Sequence, residues 1–192
     1  MTETSRPLRA DARRNRERIT QGARELFARR GREVQMDEIA EYCGLGIGTL
    51  YRHFPNKEAL LTALVRERFE GMAELARVAD KLADPQEAFE EMLRTYLEAA
   101  DGDAIFQLAL MGSTDFDWEA IEEEKHVYAE ILARIIERAA QAGAVRADFG
   151  LDDFRMLVSS IMATMYFSRG EPANWRRHLD LVLDGVRPRP ER

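Results

Sequence analysis

Residues 36–54 read MDEIAEYCGLGIGTLYRHF. The stretch has the proportions of a helix-turn-helix. A short helix runs from about Met36 to Cys43, Gly44 makes a turn, and a second short helix runs from about Ile47 to Phe54, where Pro55 stops it. Glycine suits the turn because a residue without a Cβ adopts positive φ at little cost. Ile39, Ala40, Leu45, Leu50 and Phe54 fall where they can pack against Leu26 and Phe27 of a preceding helix. Ile47, Gly48, Thr49, Tyr51 and Arg52 fall on the free face. A short helix with such a face fits the major groove of B-form DNA and offers its N-terminal residues to base edges.

Working outward, the pattern is helical almost throughout, and no stretch alternates with period two as a strand would. Residues 1–10 read as a flexible arm. Asp11 is placed to cap a first helix whose stripe is Ile19, Ala23, Leu26 and Phe27, and Gly31 ends it. After Pro55, Asn56 caps a long fourth helix to about Leu82, with Leu60, Leu61, Leu64, Val65, Phe69 and Met72 inward. No linker separates head from body, so this helix is their mechanical connection. Asp84-Pro85-Gln86-Glu87 sets a capping carboxylate, a first-turn proline and a capping-box glutamate in register for a fifth helix to about Ala100. A short sixth helix carries Ile105, Phe106, Leu108 and Met111. The seventh is expected from about Phe116 to Ala142, the eighth from a cap at Asp152 to about Ser168, and the ninth from about Asn174 to Val186. The expectation is an all-α chain of about nine helices. Residues 1–57 form the DNA-binding head with its arm, and residues 58–192 form a helical ligand-binding and dimerisation bundle.

The net charge of −7 looks wrong for a nucleic-acid binder until it is divided. Residues 1–57 hold 12 Lys and Arg against 8 Asp and Glu, whereas the remainder holds 16 against 27. A basic head on an acidic body faces phosphate with one end and repels it with the other. Arginines that merely solvate the first helix would give the same count. The single cysteine, Cys43, cannot close an internal disulfide and fits a reducing cytosol. Residues 1–18 are Arg-rich and lack the apolar core of a secretory signal. The longest uncharged apolar stretch, Met156 to Phe167, is too short to span a bilayer. A cytoplasmic protein without membrane association is expected.

Beyond these physical readings, the chain resembles the tetracycline-repressor (TetR) family. The resemblance is carried by Ile19 to Phe27, Gly31, Ile39-Ala40, Gly44, Gly48-Thr49-Leu50-Tyr51, His53-Phe54, and Lys57 with Leu60, in order and spacing. It covers residues 15–61, and the helical body after it has no sharp motif. It implies that Ile47, Gly48 and Thr49 open the recognition helix, that Tyr51 and Arg52 reach bases or phosphates, and that His53 and Lys57 contact phosphate. Gln35 and Met36, at the start of the second helix, join this DNA-facing set. Two positions depart from the pattern. Gln35 stands where the family usually has Ser or Thr as a cap, and glutamine caps less well. Gly48 has no side chain to read a base, which shifts sequence choice toward Arg52, Thr49 and DNA shape. The resemblance further implies a ligand-responsive regulator, usually a repressor.

The body is rich in Met and aromatic residues, which suits an adaptable apolar pocket as well as a plain core. Tyr96, Phe106, Met111, Trp118, Tyr128 and Met162 are the candidate lining for a small apolar effector. Phe154, Leu157, Val158, Ile161 and Met165 of the eighth helix, with Trp175, Leu179, Val182, Leu183 and Val186 of the ninth, exceed one buried stripe. They are the candidate interface of a two-fold homodimer on a roughly palindromic operator. Two rival classes use parts of the same pattern. Glu123 and His126 have the i, i+3 spacing of di-iron carboxylate bundles, but such sites need two such pairs and two further glutamates, and His53 and His178 are preceded three residues earlier by Leu50 and Trp175, so the set is incomplete. No nucleophile elbow or Gly-rich phosphate loop appears, so no enzyme, cofactor or metal is expected. A ligand-free DNA binder would use the same head.

Overall fold

The computed structural model describes residues 5–110, 115–167 and 175–188. Its helices are α1 (Ser5–Arg30), α2 (Met36–Tyr42), α3 (Ile47–His53), α4 (Lys57–Asp80), α5 (Pro85–Ala100), α6 (Ala104–Leu110), α7 (Glu122–Gln141), α8 (Leu151–Phe167) and α9 (Trp175–Val186). Among the described residues there is no strand.

The head is α1 to α3, closed by the start of α4. Ile19, Ala23 and Phe27, spaced four residues apart on α1, are fully buried against Ile39, Leu50 and Phe54. Each such side chain contributes roughly 1.5–3 kcal/mol by leaving water. At the turn, Gly44 has φ +61°. Its N–H donates to Glu41 O at 2.9 Å and that of Leu45 to Ala40 O at 2.9 Å, which satisfies the last carbonyls of α2. The Arg18 guanidinium donates to Cys43 O from α1, fixing the turn to the first helix. At the start of α2 the Glu38 carboxylate accepts the Gln35 backbone N–H at 2.8 Å. The Gln35 side-chain amide donates to Glu33 O at 2.9 Å. The poor cap is thus compensated by Glu38.

α4 starts at the head with an Asn56 cap, whose Oδ1 accepts the Ala59 N–H at 2.7 Å, and ends deep against the body. Leu60, Leu64, Val65, Phe69, Met72, Ala76 and Ala79 are buried along its length, mostly against α5 and α7. Its far end is clamped. Arg138 of α7 donates to Asp80 Oδ1 at 2.9 Å, Asp80 O at 2.6 Å and Leu82 O at 2.7 Å. A cation belongs there, where the helix presents unpaired carbonyls. Trp175 at the start of α9 is 1% exposed, and its indole N–H donates to Asp101 Oδ2 at 2.9 Å, tying α9 to the α5–α6 turn. Among the described residues no helix is long and apolar enough to cross a membrane.

Several boundaries differ from expectation. α1 reaches back to Ser5, through most of the stretch read as an arm. Pro7 falls in its first turn, where a missing N–H costs nothing, and Leu8, Arg9, Ala10 and Ala12 favour helix. Asp11 therefore lies inside α1 and pairs with Arg14 instead of capping. Phe116 precedes α7 in an irregular segment. The Asp117 N–H there donates to the buried Thr62 Oγ1 at 3.0 Å, and Asp117 Oδ1 accepts the Ala120 N–H at 3.0 Å to start a short 3₁₀ turn. α8 is entered at Gly150, whose N–H donates to Asp153 Oδ2 at 2.9 Å, while the exposed Asp152 pairs with Arg155.

Most of the dimer candidates lie inside the protomer. Phe154, Leu157, Val158, Ile161, Met165, Trp175 and Leu179 are all buried within the protomer. α8 packs on α5, α6, α7 and α9 at once, so several of its sides are interior and its apolar excess is used internally. The apolar surface left free on this pair of helices is Met156, Phe167 and Leu181, with Val182, Leu183 and Val186 half-buried beside it.

Candidate nucleic-acid interface and body core

α3 stands out from the head on one side only. Leu50 is its single buried residue, and α3 packs on α2. Ile47 is 43% and Tyr51 47% exposed, Gly48 and Arg52 are exposed, and Thr49 and His53 are half-buried. Large apolar side chains held in solvent at the tip of a rigid two-helix unit are unusual for a residue with only a structural role. Lys57 continues the basic end of this surface, with its ammonium 5.8 Å from the Phe27 ring centroid. Arg16 of α1 lies 4.6 Å over the Phe54 ring and adds a cation to the same end of the head. Gln35 is exposed beside them. Met36 is not: it is 7% exposed and belongs to the head core. As the first residue of α2 it points inward because Ile39 and Ala40, three and four residues on, define the buried face.

The acidic partners in the head are tied down away from α3. Tyr42 donates to Glu25 at 2.5 Å, and this bond, with one from Gln21, holds the Glu25 carboxyl below its usual range. The Glu38 carboxyl is held low first by the Gln35 N–H and then by Arg30. Both carboxylates are thus engaged by partners on α1 and at the ends of α2.

In the body, Tyr96, Phe106, Tyr128 and Met162 meet in one cluster. Tyr96 stacks on Tyr128 with centroids 6.1 Å apart and meets Phe106 edge-on at 6.0 Å. Its hydroxyl points at Met162 Sδ, 3.7 Å away. The void that Tyr96 and Tyr128 share with Met72, Ala76 and Met92 is too narrow for a water molecule. Trp118 stands apart on Phe116, 5.9 Å away, with Lys125 over its face. Met111 lies outside the described residues. A wider cleft of about 320 Å³ opens between α1, α4 and α6, where Arg24, Leu64, Asp103 and Phe106 line it.

Glu123 and His126 are exposed, and His126 Nε2 sits 3.3 Å from Glu130. Among the described residues no three His, Cys, Asp or Glu side chains are grouped to hold a metal.

Residues 19–64 match the family model for bacterial regulatory proteins of the tetR family, and residues 84–188 match the C-terminal domain of SbtR-like transcriptional regulators. The chain belongs to the TetR family. This TetR regulator is 30% identical over 183 residues to the HTH-type transcriptional repressor AcnR of Corynebacterium diphtheriae, covering 90% of this chain and 91% of that one. Its head is 48% identical over 54 residues to an HTH-type regulator of Staphylococcus aureus, a match spanning 28% of this chain and 29% of the relative. It superposes on a TetR regulator from Mycobacterium vanbaalenii with TM-score 0.65 at 33% identity, covering 95% of this chain and all of that one. It is a DNA-binding transcriptional regulator and not an enzyme.

Two residues of this TetR regulator escaped the sequence reading. Gly22 allows α1 and α2 to cross closely, and nothing in its local pattern marks it. Arg68 places a charge on the buried side of α4. The signal for Arg68 was present, since it lies four residues after Leu64 and four before Met72, on their stripe.

Proposed function

We propose that the chain is a ligand-responsive repressor that binds a roughly palindromic operator as a two-fold homodimer and is released by a small, largely apolar ligand held in the body. The observation that carries this reading is the course of α4, which begins beside the exposed α3 and runs unbroken into the aromatic cluster of Phe69, Tyr96, Phe106 and Tyr128. Residues 1–57 are the DNA-binding unit and residues 58–192 the effector and dimer unit. Ile47, Gly48, Thr49, Tyr51 and Arg52 enter the major groove, while Gln35, His53 and Lys57 face the backbone. A ligand that spreads α5, α6 and α7 tilts α4 and carries α3 with it. Two recognition helices must match half-sites about 34–36 Å apart, so a small tilt in each protomer costs much fit. Similarity to a protein named a transcriptional repressor supports repression as the outcome. The test is fluorescence anisotropy with genomic fragments upstream of the chain's own gene, with and without candidate ligands. A ligand must lower operator affinity by the same factor by which operator lowers ligand affinity, typically about 5–150-fold. Absence of salt-sensitive binding to any fragment would refute the reading.

A further inference from the structure

The buried stripe of α4 carries one charge. The Arg68 guanidinium carbon lies 5.3 Å over the Phe106 ring. Its Nε is 3.4 Å from Asp103 Oδ2, close enough to pair charge without the alignment of a hydrogen bond. Among the described residues, neither Nε nor Nη2 has a hydrogen-bond partner, and both atoms are buried. Phe106 leads through Tyr96 to Tyr128, whose ring is 6% exposed and whose hydroxyl also has no partner. The Tyr96 hydroxyl has only a thioether sulfur, a weak acceptor. Gln107, the remaining buried amide nearby, is already bonded to Ala100 O at 2.8 Å.

Arg68 and Tyr128 thus hold unmet buried donors, while the one unmet buried carboxylate oxygen among the described residues, Glu124 Oε2, belongs to a group already paired with Arg66 at 3.0 Å. Leaving a buried donor unmet costs free energy, more so for a cation, and folded proteins rarely accept it without cause. Burial raises the Tyr128 phenol well above its ordinary range, so at neutral pH it remains a donor. The surrounding surface is apolar: Phe69, Met72, Met92, Phe154 and Met162.

We propose that this interior recognises an amphipathic monocarboxylate, whose carboxylate accepts from Arg68 and Tyr128 and whose apolar part lies among Tyr96, Phe106 and Met162. A monocarboxylate adds one negative charge beside the Arg68–Asp103 pair, and its planar form matches the edge of the guanidinium fork left without hydrogen bonds. A phosphate brings more charge and more oxygens than one arginine, shared with Asp103, can meet. Because the void at Tyr96 and Tyr128 is narrower than a water molecule, the ligand enters only as the packing parts, which gives it the differential affinity for two conformations that a switch needs. This inference rests on the ligand-responsive reading above and names the chemistry of that ligand.

The test titrates the full-length protein with octanoate, decanoate and 3-phenylpropanoate, each beside its primary amide, by calorimetry. At least one acid is expected to bind about 10-fold or more tightly than its amide. Arg68→Gln should cost that acid about 10–100-fold and leave the amide unchanged. Tyr128→Phe should weaken the acid by several-fold and raise the Tm of the unliganded protein, because an unmet hydroxyl is removed; a merely structural tyrosine would not show this opposed pair. If Arg68→Gln does not fold, Arg68→Lys, which keeps the charge and loses the fork, should reduce the preference for acid over amide. No binding by any acid, or equal binding of acids and amides, overturns the proposal. An acid that binds as described without changing operator affinity upholds the carboxylate site and refutes the ligand-responsive reading instead.

Discussion

A Cβ placed on Gly22 would lie 2.5 Å from Cys43 Sγ. The glycine on α1 is what lets α2 approach closely enough for the thiol to donate to Arg18 O at 3.3 Å and for Arg18 to reach Cys43 O in return. Cys43 is buried, and that burial pushes its thiol up, so it behaves as a packed apolar group.

Gly22→Ala should therefore destabilise the head by about 1–3 kcal/mol, since the clash is with a short, fixed side chain. The gain in helix propensity, about 1 kcal/mol, offsets only part of it. Cys43→Ala in the same chain should restore most of the loss. Thermal unfolding of the two single variants and the double variant gives the coupling directly, and additive effects would show that the two residues do not meet.

On the DNA side, Arg52→Ala should cost about 1–3 kcal/mol and relax specificity at one base pair if the guanidinium reads a guanine. Lys57→Ala should weaken all sequences alike and reduce the slope of log K against log salt by about 0.9. Anisotropy titrations at several salt concentrations, on operator and scrambled duplexes, separate the two behaviours. Met36→Leu, a core change of similar volume, should leave both measurements near wild type.

The helix order and the exposed face of α3 were legible because both follow from local rules: period, turn glycine and proline stop. Phe116 shows where those rules fail. Its apolar spacing fits the front of α7, but the long-range bond from the Asp117 N–H to Thr62 holds the segment out of the helix. α8 shows a second limit. Leu157 and Ile161 read as surplus apolar surface because a sequence does not say how many neighbours surround a helix. The Arg68 cluster depends on five helices, α4 to α8, meeting, and of Arg68 only the stripe position is visible in the sequence.

High pH should reveal the buried tyrosines. Tyr96 and Tyr128 are both raised by burial. A phenol raised in the folded state contributes stability that is present below its unfolded value of about 10 and is lost as pH rises toward the folded value. Stability should therefore fall above about pH 10, and the decline should be shallower in Tyr128→Phe. Denaturant melts at pH 8 to 11 check the slope. Identical slopes in the two proteins would mean that Tyr128 is accessible to water.

The remaining free apolar surface is where the second protomer is expected to dock. Phe167 is 72%, Met156 67% and Leu181 55% exposed in the protomer. Ser160, Ala163 and Thr164 lie between the first two along α8, and small residues allow helices of two protomers to approach. A groove of about 300 Å³, lined by Met156, Ser160, Val182 and Gly185, runs beside them where a partner's side chains would seat. Leu181→Glu and Phe167→Glu place charge on this face without touching the core. Each should shift the chain toward monomer in sedimentation at micromolar concentration and weaken operator binding, because one recognition helix alone loses the second half-site. Leu157→Ala, which removes a buried side chain, should instead lower protomer stability by about 2–5 kcal/mol. Its monomer–dimer balance should stay nearly unchanged under conditions where it remains folded. The reverse pattern, with Leu157→Ala dissociating a dimer that Leu181→Glu and Phe167→Glu leave intact, would place the interface elsewhere.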